Sequence, residues 1–171
     1  MLSLDLIYVT TGRHPALEKL ICEATNSDYA HAAIGIEIEG QYRIVEAVRP
    51  AVRIVDGSAF DNCQIKQVSS LPISEEQRQA VVNKVFDLVG TQYGVDDCIV
   101  SGLHDIFGDH AAALVDQLLN SEHTIQCSGA QVELVRVAFP DFAGECPGNY
   151  FTPEQSRQCA IAYAERLGVA A

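Results

Sequence analysis

Three residues in this chain have the types needed for nucleophilic attack on an acyl carbon: His31, Glu46 and Cys127. A cysteine supplies the nucleophile as its thiolate. A histidine takes and returns the proton, and a carboxylate holds the histidine in one tautomer. The segment Thr124-Ile125-Gln126-Cys127-Ser128-Gly129 leads into a helical stripe, which puts Cys127 in a first turn. There the positive end of the helix and its free backbone N–H groups favour a thiolate. The same N–H groups are suited to an oxyanion. Of the six cysteines, at 22, 63, 98, 127, 146 and 159, Cys127 alone has this placement. Cys22, Cys98 and Cys159 read as structural thiols.

His31 and Glu46 are brought together by strand arithmetic. Residues 30–38 and 42–48 are apolar, β-branched runs separated by a turn at Gly40. A two-residue loop at Glu39-Gly40 sets Ile38 opposite Gln41, Ala33 opposite Glu46 and His31 opposite Val48. His31 and Glu46 then share one face as diagonal neighbours, roughly 7–8 Å apart at the backbone. A lone strand histidine is more often a packed one bonded to a carbonyl, and a lone strand carboxylate is usually solvated. Glu46, however, lies in the run Ile44-Val45-Glu46-Ala47-Val48, where an unpaired charge is costly to bury.

The elements that carry these residues follow from periodicity. Residues 4–9 form an opening strand and residues 15–24 a helix with Pro15 in its first turn. After the two strands of the hairpin, Pro50 interrupts, and residues 51–55 and 64–68 read as further strands. Ser74-Glu75-Glu76-Gln77 has the layout of a capping box, opening a helix with the stripe Ala80, Val81, Val85, Leu88 and Val89, stopped by Gly90. Residues 97–107, 111–119 and 127–139 read as helices, the last burying Val132, Val135 and Phe139. Thr152-Pro153-Glu154-Gln155 opens a final helix running to residue 167. A sheet followed by helices is an α+β pattern, and no linker or repeat divides residues 1–171, which read as one domain.

Composition narrows the function. The 171 residues carry 11 Lys+Arg against 23 Asp+Glu, a formal charge of -12. That disfavours nucleic acid and anionic lipid as partners. No apolar run is long enough to span a membrane, and Met1-Leu2-Ser3-Leu4-Asp5 is unlike a secretory signal, so a cytoplasmic protein is expected, with delivery by another route left open. The cysteines lack zinc-type spacing and are expected to be reduced thiols. A metal site built from His31, Cys127, His104, His110 and His123 would need ligand pairing that the spacing does not offer. No metal or cofactor is expected.

Taken together, these motifs resemble the permuted papain-like amidases of the YaeF/YiiX type, within the wider NlpC/P60 group. The resemblance runs over most of the chain. It rests on the opening strand and helix, on Ser27, Tyr29 and His31 followed by Ala-Ala-Ile-Gly-Ile, and on Val45-Glu46-Ala47 with Val52-Arg53. It also includes Tyr93-Gly94 to Asp97 and Cys127-Ser128. It implies a circularly permuted papain-like fold, an antiparallel sheet against helices, with the cysteine last in the chain. It further implies a Cys127 nucleophile, a His31 base and a Glu46 orienting residue, with Tyr29 and Tyr93 lining a cleft and Ser128 contributing its backbone N–H. The expected activity is hydrolysis of an amide or ester through a thioester. A peptidoglycan peptide, an N-acyl amino acid or a lipid ester is the expected substrate. The chain departs from the family at Leu4-Asp5-Leu6, where Gly-Asp is usual. It departs again at Gly129-Ala130, where Glu and a large apolar residue usually follow, and this small pair could widen the cleft. The alternative is a binding module that kept the fold without catalysis, such as a phage structural or host-interaction protein. The polar, glycine-bearing stretch 105–110 is a candidate lid.

Overall fold

A computed structural model describes residues 2–13, 15–94, 124–145 and 151–169. The helices expected at 97–107 and 111–119, the stretch 105–110, His104, His110, His123, Cys98 and Cys146 lie outside the described residues. Among those described, the fold is α+β: a seven-stranded sheet in the order β5-β1-β2-β3-β4-β6-β7, packed against helices. The strands are β1 (Ser3–Thr10), β2 (His31–Ile38), β3 (Gln41–Val48), β4 (Ala51–Asp56), β5 (Ile65–Pro72), β6 (Gln92–Tyr93) and β7 (Thr124–Ile125). Neighbours are antiparallel except β6 and β7, which are parallel. The helices are α1 (Pro15–Thr25), α2 (Glu75–Leu88), α3 (Cys127–Ala138) and α4 (Pro153–Arg166), with a short 3-10 turn at Pro140–Gly144.

The β2–β3 hairpin has the expected register, with Ile38 opposite Gln41 and Ala33 opposite Glu46. Its loop residues both take positive φ, 51° at Glu39 and 73° at Gly40. This is the turn whose twist matches the flanking strands, and glycine at the second position removes half its strain. β4 follows after the two-residue turn Arg49-Pro50 and sets Arg53 directly across from Glu46.

Alternation divides the sheet into two buried faces. Leu4, Leu6, Tyr8, Ala32, Ile34, Ile36, Val45, Ala47 and Val52 point to the main core, where they meet α2, α3 and α4. Ile7, Val9, Ala33 and Ile44 point the other way, under Phe60 from the turn after β4. Burial on both sides explains why β2 reads as an unbroken apolar run rather than an alternating one. Gly35 lies on the second face, where an added Cβ would stand 1.9 Å from Tyr42 Oη. Its lack of a side chain lets Tyr42 reach across β2 and donate to Asp5 Oδ2 at 2.7 Å.

Both capping boxes form, Ser74 with Gln77 and Thr152 with Gln155. In α2 the inner stripe is Val81, Val82, Val85 and Leu88. Val89, expected inside, is exposed and caps the helix instead, and Val82 takes the buried position. β5 runs on to Pro72, four residues past the expected 64–68, because β1 pairs with it along its whole length. No helix among the described residues is long and apolar enough to cross a membrane.

Candidate active site

The β2–β3 ladder stops at Ala33↔Glu46, whereas β3 keeps pairing with β4 through Val48↔Ala51. The two strands therefore part at His31 and Ala32. Into this end comes α3, carried there by β7, whose partner β6 is joined to Ala51 of β4. Cys127 is its first residue and is 5% exposed. Its thiol is acted on by the His31 side chain and by the backbone N–H groups of Ala32 and Ser128. The sulfur thus receives one amide from the opened strand and one from the helix's own first turn.

That first turn is electrostatically bare. Gln126, at the cap position, makes no capping bond with its side chain, and no acidic residue follows in the turn. Gln126 Nε2 is turned instead to the Phe151 carbonyl at 2.8 Å, and Ser128 Oγ donates to the same carbonyl. The amide end of the helix is left to act on the sulfur and on an oxyanion beside it.

His31 uses its two nitrogens differently. Nε2 lies 3.1 Å from Glu46 Oε2. A carboxylate only accepts, so Nε2 carries a proton, and Nδ1 is the nitrogen left for the thiol. The ring stands edge-on to Phe60, centroids 5.9 Å apart. Glu46 is fully buried, and its second oxygen, Oε1, accepts from Arg53 Nε at 3.0 Å, Arg53 Nη2 at 2.6 Å and Arg13 Nη1 at 3.3 Å. Arg13 also donates to the Ala59 carbonyl and lies over the Phe60 ring. One carboxylate therefore faces three cationic partners.

These contacts reset the ionisation of all three residues. Burial works against each charge. At Glu46 the bonds to His31 and Arg53 outweigh it and hold the carboxyl down at about 2. At His31 the Cys127 and Glu46 side chains outweigh it and raise the imidazolium to about 9. At Cys127 burial is again opposed, by His31 and the two amides, and the thiol ends below its ordinary 9.0. Both shifts favour the thiolate–imidazolium form of the pair over the neutral one.

The signs set a pH window. His31, raised from 6.5 to about 9, stabilises the fold fully below 6.5, and that contribution is lost as pH rises through 9. Cys127 runs the other way: its contribution is present above 9.0 and lost as pH falls through its lowered value. For the hydrolysis that the resemblance implies, the rate would rise with the Cys127 thiolate and fall again near pH 9, where His31 loses the proton that a leaving group needs. Alkylation of Cys127 needs no such proton and should keep its rate above pH 9. Parallel rate profiles for hydrolysis and iodoacetamide labelling check this.

The other expected residues lie as follows. Ser128 is buried, with its N–H on the sulfur. Tyr93, in β6, donates its N–H to the Pro50 carbonyl at 3.0 Å and pairs with Ile125, two residues before Cys127. Tyr29 donates to Gln67 Oε1 at 3.0 Å, lies edge-on to Tyr8 and carries Arg157 over its ring. Ala130 is buried in the main core, and Gly129 is half-buried, where an added Cβ would stand 3.4 Å from Gln126 Cγ. Cys22, Cys63 and Cys127 are free thiols; Cys22 and Cys159 are half-buried. No group of three or more potential metal ligands occurs among the described residues.

Three residues were not anticipated. Arg53 was legible in principle, because the two-residue turn at Arg49-Pro50 sets it across from Glu46 by the same arithmetic that pairs Ala33 with Glu46. Gln131 sits one helical turn after Cys127, where a polar residue in an apolar stripe is a signal. It is 1% exposed, donates to the Ala33 carbonyl at 2.8 Å and accepts from Ser156 Oγ at 2.5 Å, fixing α3 to β2 and α4. Arg13 left no local signal. Its position depends on Glu18, which binds Thr11 Oγ1 and the Gly12 N–H and so shapes the loop after β1. No protein-family model matches the sequence, and no curated protein is significantly similar to it.

Proposed function

We propose that this protein is a cysteine hydrolase of circularly permuted papain-like fold, cleaving an amide or ester bond through Cys127, His31 and Glu46. The observation that carries the reading is the chain of contacts from the Cys127 thiol through the His31 ring to the fully buried Glu46 carboxylate. In the reaction, the thiolate attacks the carbonyl carbon. The oxyanion is held by backbone N–H groups at the start of α3. Collapse of the tetrahedral adduct breaks the bond to the leaving amine or alcohol, which takes the His31 proton, and leaves a thioester. His31 then removes a proton from water. The hydroxide attacks the thioester, the acid is released, and the thiol proton returns to the Cys127–His31 pair. Glu46 keeps the ring oriented throughout and stabilises its charge.

The substrate class proposed is a small acylated compound, either a peptidoglycan stem peptide or an N-acyl amino acid. The test is incubation with muropeptides, N-acyl amino acids and monoacyl lipid esters, followed by acid quenching and mass mapping of the protein. One class should be consumed, with the acyl group trapped on Cys127. An adduct on Cys22, Cys63 or Cys159, or no consumption of any class by protein whose Cys127 is reduced, contradicts the reading.

A further inference from the structure

Arg13 and Arg53 converge on one oxygen of Glu46, and both side chains remain open to solvent, 38% and 45% exposed. In a chain with 11 cationic side chains against 23 acidic ones, this convergence is unusual. It also leaves charge unbalanced. Two guanidinium groups, Arg13 and Arg53, face one buried carboxylate, Glu46, and the Cys127–His31 pair is net neutral in either of its proton arrangements. Glu18, in the first turn of α1, spends its oxygens on Thr11 and Gly12. Lys66 is paired with Asp61. Acylation leaves this excess in place, because the thioester is neutral and the leaving group carries off the His31 proton.

The donors are also incompletely used. Arg53 gives Nε and Nη2 to Glu46, and Arg13 gives Nη1 to Glu46 and Nη2 to the Ala59 carbonyl. Among the described residues, Arg53 Nη1 and Arg13 Nε have no hydrogen-bond partner. A guanidinium already fixed on one side and open on the other is preorganised to bind a carboxylate, with little further ordering cost.

We propose that Arg13 and Arg53 form a carboxylate-binding site beside the triad, so that the hydrolase acts on acylated compounds carrying a free carboxylate. This inference rests on the hydrolase reading for its substrate and deepens it. The carboxylate lies on the far side of His31 and Glu46 from the sulfur, so it is separated from the scissile carbonyl by a spacer. It is either the terminal carboxylate of an amino acid or short peptide, or an acidic side chain.

The test uses labelling probes that differ only in charge: N-iodoacetyl-glycine, its di- and triglycine homologues, and their C-terminal amides. Each glycine extends the reach by about 3.5 Å. N-Iodoacetyl-glutamic acid α-amide against the corresponding glutamine compound reads the side-chain source. At one length the acid should label Cys127 roughly tenfold faster than the amide, the scale of a charge-assisted hydrogen bond. Arg53→Gln or Arg13→Gln should cut that preference to about twofold or less, and Arg53→Lys should keep part of it. The acid-to-amide ratio cancels any change in thiol reactivity caused by disturbing Glu46. Each single variant leaves Glu46 one guanidinium, which protects folding. A ratio near one for every probe, or a ratio unchanged in both Gln variants, overturns the proposal. If Cys127 labels no faster than an ordinary thiol, the hydrolase reading fails separately. In that case calorimetry of N-acetyl-triglycine and its amide on Cys127→Ala protein decides: tighter binding of the acid, lost in the Gln variants, sustains the carboxylate site, and equal binding removes it.

Discussion

Cys127→Ala protein is expected to fold and to lose turnover completely. In the proposed hydrolase Cys127 is the nucleophile, and removing the nucleophile from a triad whose members act as a unit costs roughly 10⁴–10⁶-fold in kcat. The structural cost is small by comparison. Cys127 is buried at the start of α3, but the helix is held by Gln131 to β2 and α4 and by a buried apolar stripe, not by the sulfur. A loss of about 1 kcal/mol, a few degrees in Tm for a domain of this size, is expected. The two effects separate in one preparation. Hydrolysis of the identified substrate falls to background while far-ultraviolet circular dichroism and the melting transition stay close to wild type. Retained hydrolysis would mean that another group is the nucleophile.

Glu46→Gln is the second large effect, and it should damage both activity and stability. Glutamine keeps the shape of glutamate but brings one acceptor and one donor where the site needs two acceptors. If the amide oxygen faces His31, its NH₂ meets Arg53 and Arg13. If the oxygen faces the arginines, the NH₂ meets His31 Nε2–H. Either way a donor is set against a donor in a fully buried position. The expected cost is about 2–3 kcal/mol, towards the lower end for a broken buried ion pair because both arginines keep part of their hydration. Activity should fall by roughly 10³–10⁴-fold, since the imidazole loses both its orientation and the carboxylate that stabilises its charge. Urea midpoints together with kcat/KM read the two losses. A variant with normal stability and normal kcat/KM would remove Glu46 from the account. Alkylation of Cys127 should slow at neutral pH, because Glu46 is one of the groups holding the His31 proton.

The features legible in the sequence were those fixed by short-range rules. The Glu39-Gly40 turn determines the hairpin register, and the register places Ala33 opposite Glu46 and His31 one step beyond. The capping boxes at Ser74 and Thr152 mark their helices because the same four residues satisfy their own backbone donors. The start of α3 at Cys127 followed from the apolar stripe behind it. What escaped was set by partners distant in the chain. β6 and β7 are two residues each, too short for any periodicity, and exist because β4 offers them an edge. The second half of β5, Ser69-Ser70-Leu71-Pro72, looks like loop, yet Ser69 and Leu71 are fully buried against β1. The parting of β2 from β3, which gives Ala32's amide to the sulfur, has no signature in either strand. Arg13 reaches Glu46 across 33 positions.

The most direct test of the account is the ultraviolet titration of the Cys127 thiolate, taken as the difference between wild-type protein and Cys127→Ser and repeated in a His31→Ala background. The account predicts that Cys127 ionises clearly below 9.0 in wild type and at distinctly higher pH without His31, where only the Ala32 and Ser128 amides still oppose burial. A thiol that titrates at or above 9.0 in wild type, or one whose ionisation does not respond to His31, would contradict it.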